Sequence, residues 1–149
     1  MAFRSFMDAA LEEARLAGKR GEVPVGAVVV NDKGQIMARA GNETRARNDP
    51  TAHAEILAIR AACHELRLER LTGYDLYVTL EPCPMCAGAI SAARINRLYI
   101  GASDPKSGGV LHGARVFERP QCHHRPEIYD GIAADACQAV LKDFFAARR

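Results

Sequence analysis

A histidine and a glutamate in His53-Ala54-Glu55, and two cysteines in Cys83-Pro84-Met85-Cys86, are the residues of this chain best suited to do chemistry together. Zinc in a catalytic centre takes three protein ligands and keeps one position for water, and two cysteines with one histidine are an attested set. His53, Cys83 and Cys86 supply that set, which implies one zinc per chain. Residues i and i+2 of a helix point to different sides, so Glu55 is badly placed to grip the ion that His53 holds and belongs beside it. There a carboxylate can take the proton of a zinc-bound water, whose pKa falls from ~15.7 toward ~7. The product is a hydroxide nucleophile at neutral pH.

Each half of the constellation says less alone. A Cys-x-x-Cys also occurs as a redox pair or as half of a structural zinc site, and a His-x-Glu recurs by chance. A structural site needs a fourth ligand, for which Cys63, His64, His112, Cys122, His123, His124 and Cys137 are available. No second paired motif singles any of them out. Cys63 and His64 fit the end of a helix, and Cys137 fits a core-facing position, as free cysteines commonly do. Cys122-His123-His124 is the main rival for a metal and otherwise reads as a polar loop.

The elements that must position these residues follow from periodicity. Phe3, Met7, Ala10 and Ala14 recur at helical spacing, giving an amphipathic helix over about 2–17 that ends at Gly18. Two short apolar runs, 23–30 and 35–40, flank Asn31-Asp32-Lys33-Gly34 and predict a hairpin. Asp49-Pro50-Thr51 offers a cap and a first-turn proline for a helix over 52–62, which places His53 and Glu55 in its first turn. Residues 76–80 read as a buried strand, Pro84 opens a helix over 85–93, and 95–100 is another strand. Both ligand segments thus sit at helix starts, where the positive end of the helix dipole favours thiolates. Residues 103–109 form a polar, Gly-rich loop, and 110–126 is irregular with one short helix. A further short strand over 127–132 and a helix over 133–147 complete the pattern. Strands alternating with helices imply an α/β fold whose helices cover both faces of a mixed sheet.

Bulk properties bound the class. With 149 residues, 48% hydrophobic and 26% charged, the chain suits a single domain, residues 1–149, with a substantial core. A net charge of +2 neither requires nor excludes RNA. The segment 1–10 carries Arg4 and Asp8 and lacks the apolar stretch of a signal peptide, and no segment is long and apolar enough to span a bilayer. A cytoplasmic protein without a membrane anchor is expected. The five cysteines, with one Cys-x-x-Cys pair, argue for metal or redox use rather than a disulfide framework.

His53-Ala54-Glu55 followed by Pro82-Cys83-Pro84-Met85-Cys86 resembles the signature of zinc nucleobase deaminases. Within that superfamily the chain is similar to the bacterial tRNA-specific adenosine deaminases, which convert the wobble adenosine of a tRNA anticodon to inosine. The likeness runs through Glu22-Val23-Pro24-Val25-Gly26-Ala27, Asn42, residues 49–56 and residues 79–89. It extends to the 101–108 loop and to Asp143-Phe144-Phe145 with Arg148-Arg149.

The resemblance implies a three-layer α/β/α cytidine-deaminase-like fold with a mixed five-stranded sheet, a homodimer, and a tRNA anticodon stem-loop as partner. It implies hydrolytic attack of zinc-bound hydroxide on C6 of adenine with Glu55 as proton shuttle. Asn42 would then hydrogen-bond the flipped nucleotide, the backbone at Ala54 would meet the base, and Val25 would line its pocket, though Val25 also reads as core. Asp104 and Lys106 would face neighbouring nucleotides. Phe144 and Phe145 cannot share one helical face, so one suits the core and the other RNA stacking. Lys106, Arg115, Arg119, Arg125, Arg148 and Arg149 would make a basic rim if they gather at the pocket. One departure is His123, where the family commonly has Asn before the pair here occupied by His124-Arg125.

Two rival functions share parts of this pattern. A deaminase of a free base or nucleoside, of guanine or cytosine type, would use the same fold and zinc. A structural zinc module binding RNA or protein would need a closed four-ligand site and no Glu55.

Overall fold

The computed structural model describes residues 5–148, so the expectations for Phe3 and Arg149 lie outside the described residues. Helix α1 (Met7–Lys19) buries Met7, Ala10, Leu11, Ala14 and Ala17, the stripe that a period of 3.6 produces. Strands β1 (Gly26–Val30) and β2 (Ile36–Gly41) pair antiparallel. Asn31 shapes the turn between them, its side-chain oxygen accepting the N–H of Lys33 at 3.0 Å and of Gln35 at 2.9 Å. Helix α2 (Ala54–Leu66), strand β3 (Asp75–Leu80), helix α3 (Pro84–Ala93) and strand β4 (Arg97–Ala102) follow. A 3-10 turn at Val116–Glu118, strand β5 (Glu127–Tyr129) and helix α4 (Ala134–Ala146) complete the order.

The sheet order is β2-β1-β3-β4-β5, with β1 antiparallel to β2 and β3, and β3, β4 and β5 parallel. Side chains alternate across it. Ala27, Val29, Leu76, Val78, Leu98 and Ile100 pack with Ala58 and Ala62 of α2 and Ala87 and Ile90 of α3 on one face. Val28, Val30, Tyr77 and Tyr99 pack with Met7, Ala10 and Leu11 of α1 and Cys137 of α4 on the other. That is the three-layer arrangement the resemblance implies. In-register pairing of the parallel strands stacks Tyr77 on Tyr99 at 4.3 Å and Tyr99 on Tyr129 at 5.2 Å.

One boundary differs from the sequence expectation in a way that bears on the site. Asp49-Pro50-Thr51 does not open α2. The Asp49 carboxylate instead accepts the Thr51 N–H at 2.9 Å and its hydroxyl at 2.7 Å, closing a local turn. α2 starts at Ala54 with His53 in extended backbone as its N-cap residue. The cap comes from far away in sequence: the Asn42 side-chain oxygen accepts the Ala54 N–H at 2.8 Å. Helix starts are among the hardest features to read when the partner is not local.

The segment carrying Asn42 is itself anchored. Buried Glu22 accepts the N–H of Arg45 at 3.1 Å and of Ala46 at 2.9 Å, fixing the 43–48 loop against the strand end. Burial pushes its carboxyl up, but the Ala46 and Arg45 N–H groups, the Thr44 hydroxyl and Arg20 outweigh burial and hold it below its ordinary value. A carboxyl depressed on folding contributes stability that is present above its unfolded pKa and lost as pH falls through the folded one. Glu22→Ala is therefore expected to cost about 1–3 kcal/mol at neutral pH, by orphaning two N–H groups. That difference should shrink on acidification below about pH 4, the unfolded carboxyl range. Urea unfolding of wild type and variant at neutral and acid pH measures both; an undiminished gap in acid would contradict the assignment.

Candidate metal centre and active-site cavity

α2 and α3 begin side by side beyond the carboxyl end of β3, the usual place for a ligand in an α/β sheet. His53 caps one helix and Cys83 the other, both in extended backbone, while Cys86 lies buried in the first turn of α3. His53 Nδ1 is 3.6 Å from Cys83 Sγ and 3.5 Å from Cys86 Sγ. Zinc bonds of ~2.3 Å to sulfur and ~2.0–2.1 Å to nitrogen, at a tetrahedral angle, place the two ligand atoms about 3.6 Å apart. The donors present therefore fit zinc in both chemistry and spacing. Among the described residues no other group of His, Cys, Asp or Glu brings three ligand atoms within 4.8 Å of one another.

Glu55 lies outside that group and is 4% exposed. Burial pushes its carboxyl up to about 7, against the pull of a backbone N–H and of His53. The hydrogen bond from Cys86 lowers the Cys83 thiol to about 4, against burial and helped by His53, so Cys83 is held as a thiolate. The same contact with Cys83, together with burial, pushes Cys86 up. His53 is raised by its contact with Cys83. A divalent cation bound by these donors would favour their deprotonated forms.

The cluster opens into a cavity of about 240 Å³ lined by Val23, Val25, Asn42, Thr44, His53, Glu55, Leu80, Glu81, Cys83, Asp104 and Ser107. This is below the roughly 300–1,000 Å³ of sites for drug-sized ligands, and leaves room for one small flat ring system. Larger hollows exist, one of about 610 Å³ beside Cys63 and Leu68, but none holds a ligand cluster among the described residues.

The other residues singled out from sequence divide into groups. Val25 and Asp104 line the cavity, Val25 while also belonging to the core. Asn42 lines it too, with its amide nitrogen donating to the Val23 carbonyl at 3.1 Å and its oxygen held by Ala54 N–H. Ala54 is fully buried and its N–H is thereby taken. Lys106 is exposed and outside the lining. Of the two phenylalanines, Phe145 is the exposed one, at 50%, while Phe144 carries the Arg148 guanidinium 3.5 Å above its ring.

The basic rim does not assemble as expected. Arg115 and Arg125 line a separate hollow and Arg119 another, with Arg119 donating to the Ala114 carbonyl at 2.7 Å. Arg45, missed in the sequence, instead flanks the cavity-lining Thr44. Three of the rival metal ligands are engaged elsewhere: Cys122 contacts Ser91 at 3.4 Å, His124 Nε2 meets the Ile95 carbonyl at 2.7 Å, and His112 pairs with Glu81 at 2.8 Å. Glu81 is the other residue without a role from sequence. An acidic side chain closing an apolar strand immediately before Pro82-Cys83 was the available signal.

Comparison with known proteins agrees with this geometry. Residues 2–102 match the cytidine and deoxycytidylate deaminase zinc-binding region. A tRNA-specific adenosine deaminase of Agrobacterium fabrum is 59% identical over 97% of this chain and 94% of its own. A solved structure from a study of A-to-I editing by tRNA:A34 deaminases at the wobble position is 60% identical, with a TM-score of 0.90 over 91% of this chain and 98% of that one. A guanine deaminase of Bacillus subtilis is more distant, 32% identical with a TM-score of 0.67 over 99% and 94% of the two chains. The chain belongs to the cytidine and deoxycytidylate deaminase family of zinc-binding enzymes, within it to the tRNA-specific adenosine deaminases.

Proposed function

We propose that this protein hydrolyses the wobble adenosine of a tRNA anticodon loop to inosine, acting as a single zinc-dependent domain. The observation that carries the reading is that the His53, Cys83 and Cys86 cluster meets, through His53 and Cys83, one cavity sized for a base that buried Glu55 also lines, in a chain this similar to tRNA-specific adenosine deaminases. His53, Cys83 and Cys86 hold the ion. Bound there, zinc supplies the Lewis acidity that makes a water acidic near neutral pH. Glu55 takes the proton of the attacking water and passes it on to the purine and the departing amine. A C–O bond forms at C6, the C–N bond breaks, and the exocyclic nitrogen leaves as ammonia.

Val23, Val25 and Leu80 give the cavity apolar walls against which a flipped base is excluded from water, while Asp104 and Ser107 supply polar edges. Asn42 holds the start of α2, and through it His53 and Glu55, against the strand end. Exposed Arg45, next in sequence to the cavity-lining Thr44 and donating to the Gly21 carbonyl at 3.2 Å, and exposed Phe145 are the side chains suited by type to the phosphates and neighbouring bases of an anticodon loop. An RNA substrate held by cations predicts that turnover at low stem-loop concentration falls steeply with added salt. Free adenosine, cytidine and guanine should be poor substrates beside the stem-loop. Salt-indifferent deamination of a free base would instead favour a small-substrate enzyme of the guanine deaminase kind.

The chain is further inferred to act as a homodimer in the cytoplasm. Supporting this is an apolar hollow of about 430 Å³ over Gly88, Ala92, Val116 and Cys122, on the side of α3 turned away from the ligands. Light scattering should give twice the mass of one chain, and a Gly88→Arg substitution should return monomers; a monomeric wild type would contradict it.

A further inference from the structure

Glu81 carries a buried carboxylate that the metal chemistry does not use. Its side chain has no exposure, and it lies between the last residue of β3 and the Pro82-Cys83 ligand segment. Five donors converge on it. Oε1 accepts the Asp104 N–H at 2.9 Å and meets His112 Nδ1 at 2.8 Å. Oε2 accepts the N–H groups of Val110 at 3.2 Å, Leu111 at 2.9 Å and His112 at 3.1 Å. All five come from the two ends of one loop, 104–112, which has no regular secondary structure and whose 104–107 end is exposed or half-buried, while Val110 at the other end reaches the core.

The same loop is pressed onto the ligand segment. The Gly109 N–H donates to the Pro82 carbonyl at 2.8 Å. A Cβ on Gly108 would overlap the Glu81 carboxylate, and one on Gly109 would overlap the backbone of Cys83 and Pro84. The loop closes at this distance because residues 108 and 109 have no side chain. Asp104, at one clamped end, and Ser107, between the ends, are the residues of the loop that line the cavity beside Cys83.

We propose that Glu81 is a positioning residue for substrate recognition: its carboxylate ties both ends of the 104–112 loop to the metal-ligand segment and so sets Asp104 and Ser107 as a wall of the base pocket. The proposal rests on the deaminase reading for its kinetic test, but the clamp itself does not. An ordinary structural role would predict only a loss of stability. A positioning role predicts that Glu81 and Asp104 act on substrate as one unit.

Glu81→Gln discriminates between the two. The amide oxygen can still serve the three N–H groups at 110–112, and His112 can switch tautomer to accept from the amide nitrogen. The Asp104 N–H then faces a donor and is released. With an anticodon stem-loop as substrate, KM should rise about tenfold with kcat within about twofold, the pattern of a lost binding contact. Zinc should remain at one per chain. Asp104→Ala should raise KM comparably, and the double variant should be no worse than the weaker-binding single, because groups acting through one contact are not additive. Gly108→Ala, which displaces the same carboxylate, should behave likewise and serves if Glu81→Gln folds poorly. Independently of any substrate, amide exchange at 104 should accelerate in Glu81→Gln while β3 and α3 stay protected. Additive KM effects, a fall in kcat alone, loss of zinc, or unchanged exchange at 104 would each overturn the proposal. A wild type inert on the stem-loop but with the exchange result intact would instead refute the deaminase reading and leave the clamp standing.

Discussion

Glu55→Ala should abolish deamination while leaving the protein folded and zinc-loaded. General acid–base catalysis contributes about 10²–10⁴-fold, and turnover should fall at least that far because one group handles the proton in both directions. Glu55 is not among the ligand atoms that cluster at His53, so its removal leaves the metal's donors in place. Nor should the fold suffer: the substitution removes an ionisable group from a site that is 4% exposed, where a charge is costly. Glu55→Gln keeps the shape and loses the proton chemistry, and should be as inactive. Steady-state rates with metal analysis by plasma mass spectrometry check both halves. Rates near wild type in either variant would remove Glu55 from the mechanism, and zinc loss would make it a ligand.

Cys83→Ser and Cys86→Ser should lose the metal, and with it both activity and part of the stability. A serine hydroxyl is a far weaker zinc ligand than a thiolate, and the site has three protein donors with no fourth to compensate among the described residues. Zinc should drop from one per chain to a small fraction, with turnover below detection. The melting temperature should fall in both, since the binding energy of a metal is also folding energy. His53→Ala should do the same. Treating wild type with a strong chelator should reproduce the loss, and added zinc should reverse it in wild type but not in the cysteine variants. Full zinc retention in both serine variants would move the metal elsewhere.

These effects concern the part of the site that was legible in the sequence, and the reason is local. The ligands come in short motifs at the starts of α2 and α3, so the metal-binding group of His53, Cys83 and Cys86 was legible from the motif pair, while the role of Glu55 also drew on the family resemblance. The sheet was legible too, through short apolar runs rich in β-branched residues such as 23–30; that Val28 and Val30 face one core and Ala27 and Val29 the other emerged only in the fold. What failed depends on contacts between distant segments. Asp49 looked like the cap of α2, but the cap is Asn42, twelve residues before Ala54, and Asp49 spends its carboxylate on Thr51. The 103–113 stretch looked structureless because its order comes from Glu81, more than twenty residues away. Charge placement was harder still: Arg115, Arg119 and Arg125 are close in sequence to a pocket loop yet line other hollows. Nothing in a one-dimensional pattern separates an arginine at the mouth of a cavity from one a few residues on that faces elsewhere.

The central claim, that this site deaminates one adenosine held in an RNA loop, is tested most directly by nuclease digestion and mass spectrometry of an anticodon stem-loop after incubation with the zinc-loaded protein. The predicted result is inosine at the wobble position alone, with every other adenosine unchanged, and no product when that adenosine is replaced by guanosine or when Glu55→Ala replaces wild type. An unmodified stem-loop, from protein that deaminates guanine or a free nucleoside in the same buffer, would contradict it.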